Sequence, residues 1–283
     1  MAGLFSRREI ERIASAALAE DGRLDVTSAV TVPSRTRAGG LLEYRSGGVL
    51  SGLVYAEAVA RGSGCTIEWT AHEADTVQRG STIGVIHGDL RDVLRAERPM
   101  LNLLQRASGI ATTTRSYVDA VRGTRCRILH TRKTAPGLRA LDVDAVLAGG
   151  GFPHRLDLTQ QVMVKDNHWQ ALGRAGTSLQ HALAEGRKRG VTALYVEVES
   201  VEQLEEACAA GATRLLVDNQ SPATLREWAG RARALAPGIE IEATGGITLE
   251  NVRSYADAGA DFVSIGALTH SPKAADIAIE IKS

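Results

Sequence analysis

The sequence has few cysteines, no net charge and no long apolar run. Its three cysteines, Cys65, Cys126 and Cys208, lie far apart and form no C-x-x-C pair, so they predict neither a disulfide framework nor a zinc site and favour a reducing cytoplasm. The 33 basic and 33 acidic side chains cancel, which argues against nucleic acid or an anionic membrane as a partner. Charges interrupt the first apolar segment, and no run reaches about 18 apolar residues, so we expect neither export nor a membrane span.

The first half of the chain is predicted to form a small sheet domain. A chain of 283 residues with 44% hydrophobic content can bury the core of one large or two modest domains. Ser6 and Glu9 have capping-box spacing and predict a first helix that ends near Asp21. Residues 36–87 consist of short strand-like runs separated by glycines. Residues 89–122 are helical in pattern, with an expected break at Pro99 between two helices.

Beyond residue 126, apolar runs of strand length alternate with amphipathic segments of helix length. The later segments predict helices over 201–211, 222–235 and 249–259. Such alternation is typical of parallel βα units, in either a barrel or an open doubly wound sheet. The predicted strands are 127–130, 162–165, 193–198, 214–218, 239–243 and 262–266.

Polar or glycine residues follow almost every one of these strands. A barrel collects the carboxyl ends of all its strands around one site, whereas an open sheet concentrates ligand contacts at a single switch point. No G-x-G-x-x-G fingerprint follows a first strand. The pattern therefore favours an α/β barrel with its site at the carboxyl ends of the strands.

The residues at these strand ends predict an anion-binding pocket with an acidic side. Glu197 and Asp218 end successive strands, where they could hold magnesium, bind ribose hydroxyls, support a developing positive charge, or simply pair with the cations. Arginine matches a carboxylate or phosphate at two points, whereas lysine contributes a compact charge. The cationic set, which could otherwise be a solvated surface, comprises Arg132, Lys133, Arg155 and Lys165, with His154 and His168 beside it.

Glycine-containing segments follow the last two strands. In barrels, backbone N–H groups at these positions often bind phosphate, although a Gly-Gly pair can also be only a turn. The segments are Thr244-Gly245-Gly246 and Ser264-Ile265-Gly266-Ala267. A third glycine segment, Gly149-Gly150-Gly151, either aims His154 and Arg155 inward or caps the preceding helix.

The order of these motifs resembles the quinolinate phosphoribosyltransferase family. The segments that carry the resemblance are ERPMLNLLQRASGIAT, TRKTAPGLR, GGGFPHR, VKDNH, VEVES, LLVDNQS, EATGGI and SIGALTHS. They appear in this order at family-like spacing, and the resemblance extends from near Glu20 to Ser271.

The resemblance implies an incomplete parallel α/β barrel with a smaller N-terminal α/β sandwich domain. We expect the sandwich domain with its bridging helix at 1–112, the barrel at 113–270 and a C-terminal return segment at 271–283. The family implies a homodimer that shares its active sites, and further assembly into a higher oligomer stays open. In this arrangement Arg98 reaches into the neighbouring subunit's pocket.

The resemblance also implies a reaction. Quinolinate would receive the phosphoribosyl group of phosphoribosyl pyrophosphate and lose carbon dioxide, giving nicotinate mononucleotide and pyrophosphate in NAD biosynthesis. Lys133, Lys165, Glu197 and Asp218 would be catalytic, and Glu197 and Asp218 would also face the ribose and Mg²⁺. The dicarboxylate would bind Arg132, Lys133, His154, Arg155 and Lys165, and the 5-phosphate would bind Thr244, Gly245, Gly246 and Gly266.

Four positions depart from the family pattern. The family usually has Asp at His130, Asn at Pro153, Ser at Thr244 and Gly at Leu24. His130 places a neutral or positive group beside the pocket, which could change the ligand accepted. A divergent phosphoribosyltransferase or pyrophosphorylase for another aromatic acid therefore stays open. A barrel that binds anions without catalysis is a further alternative, but it would gain nothing from Glu197 and Asp218.

Overall fold

The computed structural model describes residues 4–22 and 24–282 and divides into two compact units. Unit 1 combines the chain up to Arg115 with Lys133–Gly151 and the segment from Ala267 onward. Unit 2 combines Ser116–Arg132 with Phe152–Gly266. Each unit therefore contains segments that are distant in the sequence.

The elements alternate between helices and strands along most of the chain. The helices are α1 Arg7–Glu20, α2 Val26–Thr31, α3 Leu53–Gly62, α4 Leu90–Ala120, α5 Arg139–Ala148, α6 Asp166–Ala175, α7 Leu179–Lys188, α8 Val201–Ala209, α9 Pro222–Leu235, α10 Val252–Asp257 and α11 Ala267–His270. The strands are β1 Arg37–Tyr44, β2 Gly48–Val49, β3 Thr66–Trp69, β4 Thr76–Val77, β5 Ser81–Asp89, β6 Arg127–Leu129, β7 Val162–Val164, β8 Leu194–Val198, β9 Arg214–Asp218, β10 Glu240–Thr244, β11 Phe262–Ser264 and β12 Ile277–Lys282.

Unit 1 is built on a four-stranded antiparallel sheet of order β12-β1-β5-β3. The predicted cap of α1 is confirmed, because the Ser6 hydroxyl accepts the backbone N–H of Glu9. The prediction of strands alone between residues 36 and 87 is wrong, since LVYAEAVARG forms α3. This helix buries residues such as Tyr55, Ala56 and Val59. The run is too long for an average strand and ends in a glycine, a helix signal that the surrounding glycines obscured.

The predicted break at Pro99 is also wrong, because α4 continues through it as one helix of 31 residues. Proline removes one helical N–H and crowds the preceding turn, a penalty of about 3 kcal/mol. The helix immediately after Pro99 buries Met100, Leu101, Leu103 and Leu104 almost completely. Burial of several such side chains, at about 1.5–3 kcal/mol each, outweighs the local penalty.

Unit 2 is built on a six-stranded parallel sheet of order β6-β11-β10-β9-β8-β7. All six predicted strands are present, with ends shifted by at most two residues. The first strand, β6, pairs with the last, β11, so the sheet curls back on itself as a barrel does. Its two ends in the described chain are β7 and, beyond β6, a single parallel bridge between Leu129 and Phe152. The prediction of an incomplete parallel barrel is confirmed.

The strands of unit 2 have an apolar face and a charged face. Side chains alternate along a strand, so every second residue shares a face. One face of β9 and β10 consists of buried Leu215, Val217, Ile241 and Ala243. The other face contains Arg214, Leu216 and Asp218 on β9, in register with Glu240, Glu242 and Thr244 on β10.

The predicted helices over 201–211 and 222–235 correspond to α8 and α9, and the third corresponds to the shorter α10. Ser200 and Ser221 cap α8 and α9 by accepting backbone N–H groups. Among the described helices, none combines the length and apolar character needed to cross a membrane.

Candidate active site

Four side chains lie at the carboxyl ends of neighbouring strands in unit 2, and together they are called the rim. They are Lys165 after β7, Glu197 in β8, Asp218 at the end of β9 and Thr244 at the end of β10. Parallel register places Asp218 directly beside Thr244. The strand-end pattern in the sequence therefore predicted this row of polar residues correctly.

Lys165 and Glu197 form an ion pair on this rim. The Glu197 side chain is only 7% exposed, whereas that of Lys165 is 41% exposed. The Trp169 indole N–H donates to the Glu197 carbonyl oxygen at 2.9 Å and fixes the strand end. His168 Nδ1 accepts the Lys165 backbone N–H at 3.1 Å, so His168 has a local role at the start of α6. The lysine charge thus lies next to a buried carboxylate and faces solvent.

Asp218 lies in an environment that disfavours its charge. Burial, and then the negative charge of Glu197, raise its pKa above the ordinary value, against the opposing charge of Lys165. Asn219 donates to the Asp218 carboxylate at 2.6 Å. Two neighbouring carboxylates, one with a raised pKa, form a site that would gain from a bound cation or a developing positive charge.

Arg132 and Arg155 supply positive charge to unit 2. Burial, and then repulsion by Arg132, lower the pKa of Arg155, although Glu242 opposes this shift. The Arg132 Nε is buried and makes no hydrogen bond to the described residues. Like charges held near each other without full compensation favour the binding of an anion with more than one negative group.

A buried chain of hydrogen bonds links His154, a predicted site residue, to His130, Glu242 and Arg214, which were not among the predicted site residues. His130, fully buried, accepts the His154 backbone N–H through Nε2 at 2.9 Å. The His154 Nε2 in turn contacts Glu242 at 3.2 Å, and Glu242 pairs with Arg214 at 3.0 Å. Charged residues at alternate positions of apolar strands, as in RLLVD and IEIEA, were the available signal.

The hydrogen bonds of this chain define the state of its members. His130 Nε2 acts as an acceptor, so its proton lies on Nδ1, which is 3.1 Å from the Thr131 carbonyl oxygen. Complete burial by itself raises the pKa of Glu242, but interactions with His154 and Arg214 outweigh burial and lower it. Glu242 is therefore a buried anion that orients His154.

The glycine segments have separate local causes. A Cβ at Gly245 would lie 2.2 Å from the Asn219 side-chain oxygen, and its φ is +81°, so glycine is required for the fold there. A Cβ added at Gly246, whose φ is +60°, would have no atom within 4 Å, and the residue is exposed. Gly266 follows the end of β11 after one intervening residue, Ile265. Gly149 is the C-cap of α5, which agrees with the capping interpretation of Gly149-Gly150-Gly151.

The predicted site residues are divided between the two units. Unit 2 contains Arg132, His154, Arg155, Lys165, Glu197, Asp218, Thr244, Gly245, Gly246 and Gly266. Unit 1 contains Arg98, exposed on α4, and Lys133, which precedes α5. In the described ranges, no group of three or more His, Cys, Asp or Glu side chains forms a metal site. Any metal would therefore need oxygen atoms from substrate or water in addition to Glu197 and Asp218.

Both halves of the chain match known domains. Residues 25–108 match the quinolinate phosphoribosyl transferase N-terminal domain, and residues 110–280 match its C-terminal domain. The chain belongs to the quinolinate phosphoribosyltransferase family. One curated relative is the nicotinate-nucleotide pyrophosphorylase [carboxylating] of Mycobacterium leprae, 38% identical over 271 residues, which are 94% of each chain.

Solved structures agree with this family assignment. The nicotinate-nucleotide pyrophosphorylase from Francisella tularensis aligns with a TM-score of 0.90 at 29% identity, covering 98% of each chain. NadC from Streptococcus pyogenes aligns with a TM-score of 0.89 at 32% identity, again over 98% of each chain. The quinolinate phosphoribosyltransferase fold thus extends over both units.

Proposed function

We propose that this protein transfers the phosphoribosyl group of phosphoribosyl pyrophosphate to quinolinate, with loss of carbon dioxide. The products are nicotinate mononucleotide, pyrophosphate and carbon dioxide. The curated relatives in this family have this activity in their names, and the Mycobacterium leprae relative covers nearly the whole chain.

The observation that carries the proposal is the combination of charges in unit 2. Arg132 and Arg155 repel each other, which suits an acceptor with two adjacent carboxylates. Lys165, more than one third exposed, adds a third positive charge on the rim. Glu197 and Asp218 supply negative charge that a simple anion-binding protein would not need.

The chemistry follows from these charges. The quinolinate ring nitrogen attacks the anomeric carbon of the donor as its bond to pyrophosphate breaks. The sugar passes through a cation-like state, which the Glu197 and Asp218 carboxylates stabilise. When the 2-carboxylate leaves as carbon dioxide, the electron pair of the broken bond stays on C2, where the adjacent positive nitrogen stabilises it. A proton taken up from solvent then forms the C2–H bond of the product. Fixed cations hold two anionic substrates in one cavity, so orientation contributes a large part of the rate enhancement.

Magnesium fits the acidic side of this site. Mg²⁺ is usually bound by one or two carboxylates together with substrate phosphates and water. Burial and then the Glu197 charge raise the pKa of Asp218, which supports a cation beside these two carboxylates. Glu197 and Asp218 would hold the ion. Bound there, it would supply charge neutralisation for the departing pyrophosphate.

The segments at Gly245–Gly246 and Gly266 are proposed to bind the ribose 5-phosphate. Both follow the last two strands of the barrel, where backbone N–H groups commonly meet phosphate. The open surroundings of Gly246 support this role, whereas Gly245 is explained by its close approach to Asn219. Thr244 adds a hydroxyl at the same strand end.

We further propose a homodimer in the cytoplasm with active sites shared between subunits. Arg98 is exposed on α4, as a residue contributed to a partner's pocket must be. The cysteines are all free and buried, which suits a reducing compartment. To test the sharing, an Arg98→Ala protein is mixed with an inactive Lys133→Ala protein. Recovery of part of the activity supports shared sites, and a mixture that stays inactive contradicts them.

Product formation tests the proposed function itself. The purified protein is given phosphoribosyl pyrophosphate and magnesium with quinolinate, nicotinate or orotate, and each mononucleotide is measured by chromatography. We expect product from quinolinate alone, and none when magnesium is removed. Turnover of another acid would identify a divergent phosphoribosyltransferase. Absence of turnover with every acid, but retention of pyrophosphate binding, would identify an anion-binding relative.

A further inference from the structure

The loop that contains Lys133 is held at several points by other parts of unit 1. The Lys133 carbonyl oxygen accepts the Thr269 hydroxyl at 2.8 Å. Two residues later, the Ala135 N–H donates to Asp142 at 3.0 Å. The Gly137 carbonyl oxygen accepts from Arg12 at 2.6 Å. Residues 133–137 are therefore fixed through their backbone.

A single guanidinium joins the first two of these anchors. Arg106 on α4 forms a two-point ion pair with Asp142, at 2.7 and 2.8 Å, and also donates to the Thr269 carbonyl oxygen at 2.8 Å. The side chain of Asp142 and the whole of Thr269 have no exposed surface. Arg106 thus links the α5 carboxylate to the α11 residue that holds Lys133.

Stability alone does not account for such a buried pair. Desolvation of the two charges can exceed their attraction, and apolar residues of similar volume often replace a buried pair without loss. In this network, however, Asp142 and Thr269 each direct one polar atom to the backbone of the Lys133 loop. An apolar replacement would leave those loop groups without their partners.

We propose that Arg106, Asp142 and Thr269 form a positioning unit that fixes the Lys133 loop for binding of the acidic acceptor. This inference rests on the proposed function, in which the Lys133 ammonium binds the pyridine dicarboxylate. The three residues are positioning residues, because each acts through Lys133 and its neighbours.

Thr269→Val tests the inference with little change in shape, and Thr269→Ser restores the hydroxyl. We expect the KM for quinolinate to rise about tenfold in Thr269→Val, with a smaller change in kcat, and to return to within about twofold of wild type in Thr269→Ser. Thr113→Val is the matched control, because its hydroxyl also donates to a backbone carbonyl, that of Gly109, at 2.9 Å. The control should leave the KM unchanged.

Hydrogen exchange measured by mass spectrometry gives a readout that needs no substrate. The amides of Thr134, Ala135, Gly137 and Leu138 should exchange faster in Thr269→Val than in wild type, Thr269→Ser or Thr113→Val. Peptides of β1 and β5 should exchange at the same rate in all four proteins. An unchanged KM and loop exchange in Thr269→Val would overturn the inference. Faster exchange throughout unit 1, or failure of Thr269→Ser to restore the KM, would also overturn it by showing only a general loss of stability.

The design separates this inference from the proposed function. If wild-type protein forms no product from quinolinate, the proposed function fails on that result alone. The exchange comparison then decides by itself whether Thr269 holds the loop.

Discussion

Arg106 in unit 1 and Arg214 in unit 2 both pair with buried carboxylates, but their surroundings differ. Arg106 contacts one carboxylate, that of Asp142, and a backbone carbonyl. Arg214 contacts two carboxylates, Glu240 and Glu242, and lies over the rings of Tyr195 at 4.4 Å and Phe262 at 3.8 Å. The first network ends on loop backbone, whereas the second ends on the His154 side chain.

The two units therefore position functional groups in different ways. A loop has no ladder of hydrogen bonds, so its backbone needs partners from side chains. A parallel strand already has its backbone satisfied, and its buried side chains need partners instead. In unit 2 the charged side chains therefore change from the buried pair of Arg214 with Glu242 to the partly exposed Lys165 at the strand ends. The following substitutions test that gradient.

The largest effect is expected at the rim. Lys165→Met removes a cation that we propose to contact substrate, and it should lower kcat by about 10²- to 10³-fold. The free energy of unfolding should fall by about 1–2 kcal/mol, which is less than for Arg214→Met, because the buried Glu197 loses its cation but the lysine is 41% exposed. Steady-state kinetics and urea unfolding measure both. Lys188→Met, which removes an exposed lysine that pairs with Glu185, is the control and should leave kcat unchanged.

Arg214→Met should mainly affect stability rather than kcat, and it should lower the free energy of unfolding by about 3–5 kcal/mol. The substitution leaves Glu242 buried without its cation. The double variant Arg214→Met with Glu242→Leu should regain part of this loss, which urea unfolding of both proteins measures. If Arg214→Met were as stable as wild type, Arg214 would not have the structural role that distinguishes it from Lys165.

His130→Ala should lower the free energy of unfolding by about 1–3 kcal/mol, because the His154 N–H would lose its buried acceptor. His130→Gln can offer an amide oxygen near the position of Nε2 and should lose less. Thermal or urea unfolding gives the stabilities. If both variants lose the same amount, the acceptor role assigned to His130 is wrong.

The smallest effect is expected for Asp218→Asn, which should raise stability at neutral pH while it lowers activity. Burial and then the Glu197 charge raise the Asp218 pKa, so the folded state is destabilised by ionisation above the raised pKa. Below the ordinary value of 3.8 both states are protonated and the penalty vanishes. The stability advantage of the variant should therefore shrink as the pH falls.

Unfolding of wild type and Asp218→Asn from about pH 8 to about pH 4 measures this trend. Glu197→Gln provides the cross-check, because it removes the second cause of the shift. In that background the advantage of Asp218→Asn should be smaller. A stability difference that grows as the pH falls would have the wrong sign for a raised pKa.

The sequence predicted elements best where one local pattern acted alone. All six strands of unit 2 have apolar runs followed by polar residues, and all six form. The predictions of a helix break at Pro99 and of strands in the α3 segment were wrong for different reasons. At Pro99 the packing of Met100 and Leu104 outweighs a local penalty. At α3 the neighbouring glycines suggested strands although the segment itself is helical.

The rim residues could be predicted because strand ends in a barrel share one edge, which chain order already specifies. Lys165, Glu197, Asp218 and Thr244 follow from that rule alone. The partners of His130, Arg106 and Thr269 could not be predicted this way. These contacts join residues 24 to 163 positions apart.

The sequence by itself determined the alternation of strands and helices, the caps of α1, α8 and α9, and the types of charge at the strand ends. These properties depend on neighbours within a few residues, so propensity and periodicity specify them. Only the tertiary structure decided that His130 accepts a backbone N–H, that Glu242 is a buried anion, and that Arg106 supports the Lys133 loop. Each of these depends on burial and on a partner distant in the chain, because the pKa and hydrogen bonds of a buried group are set by its surroundings in the folded protein.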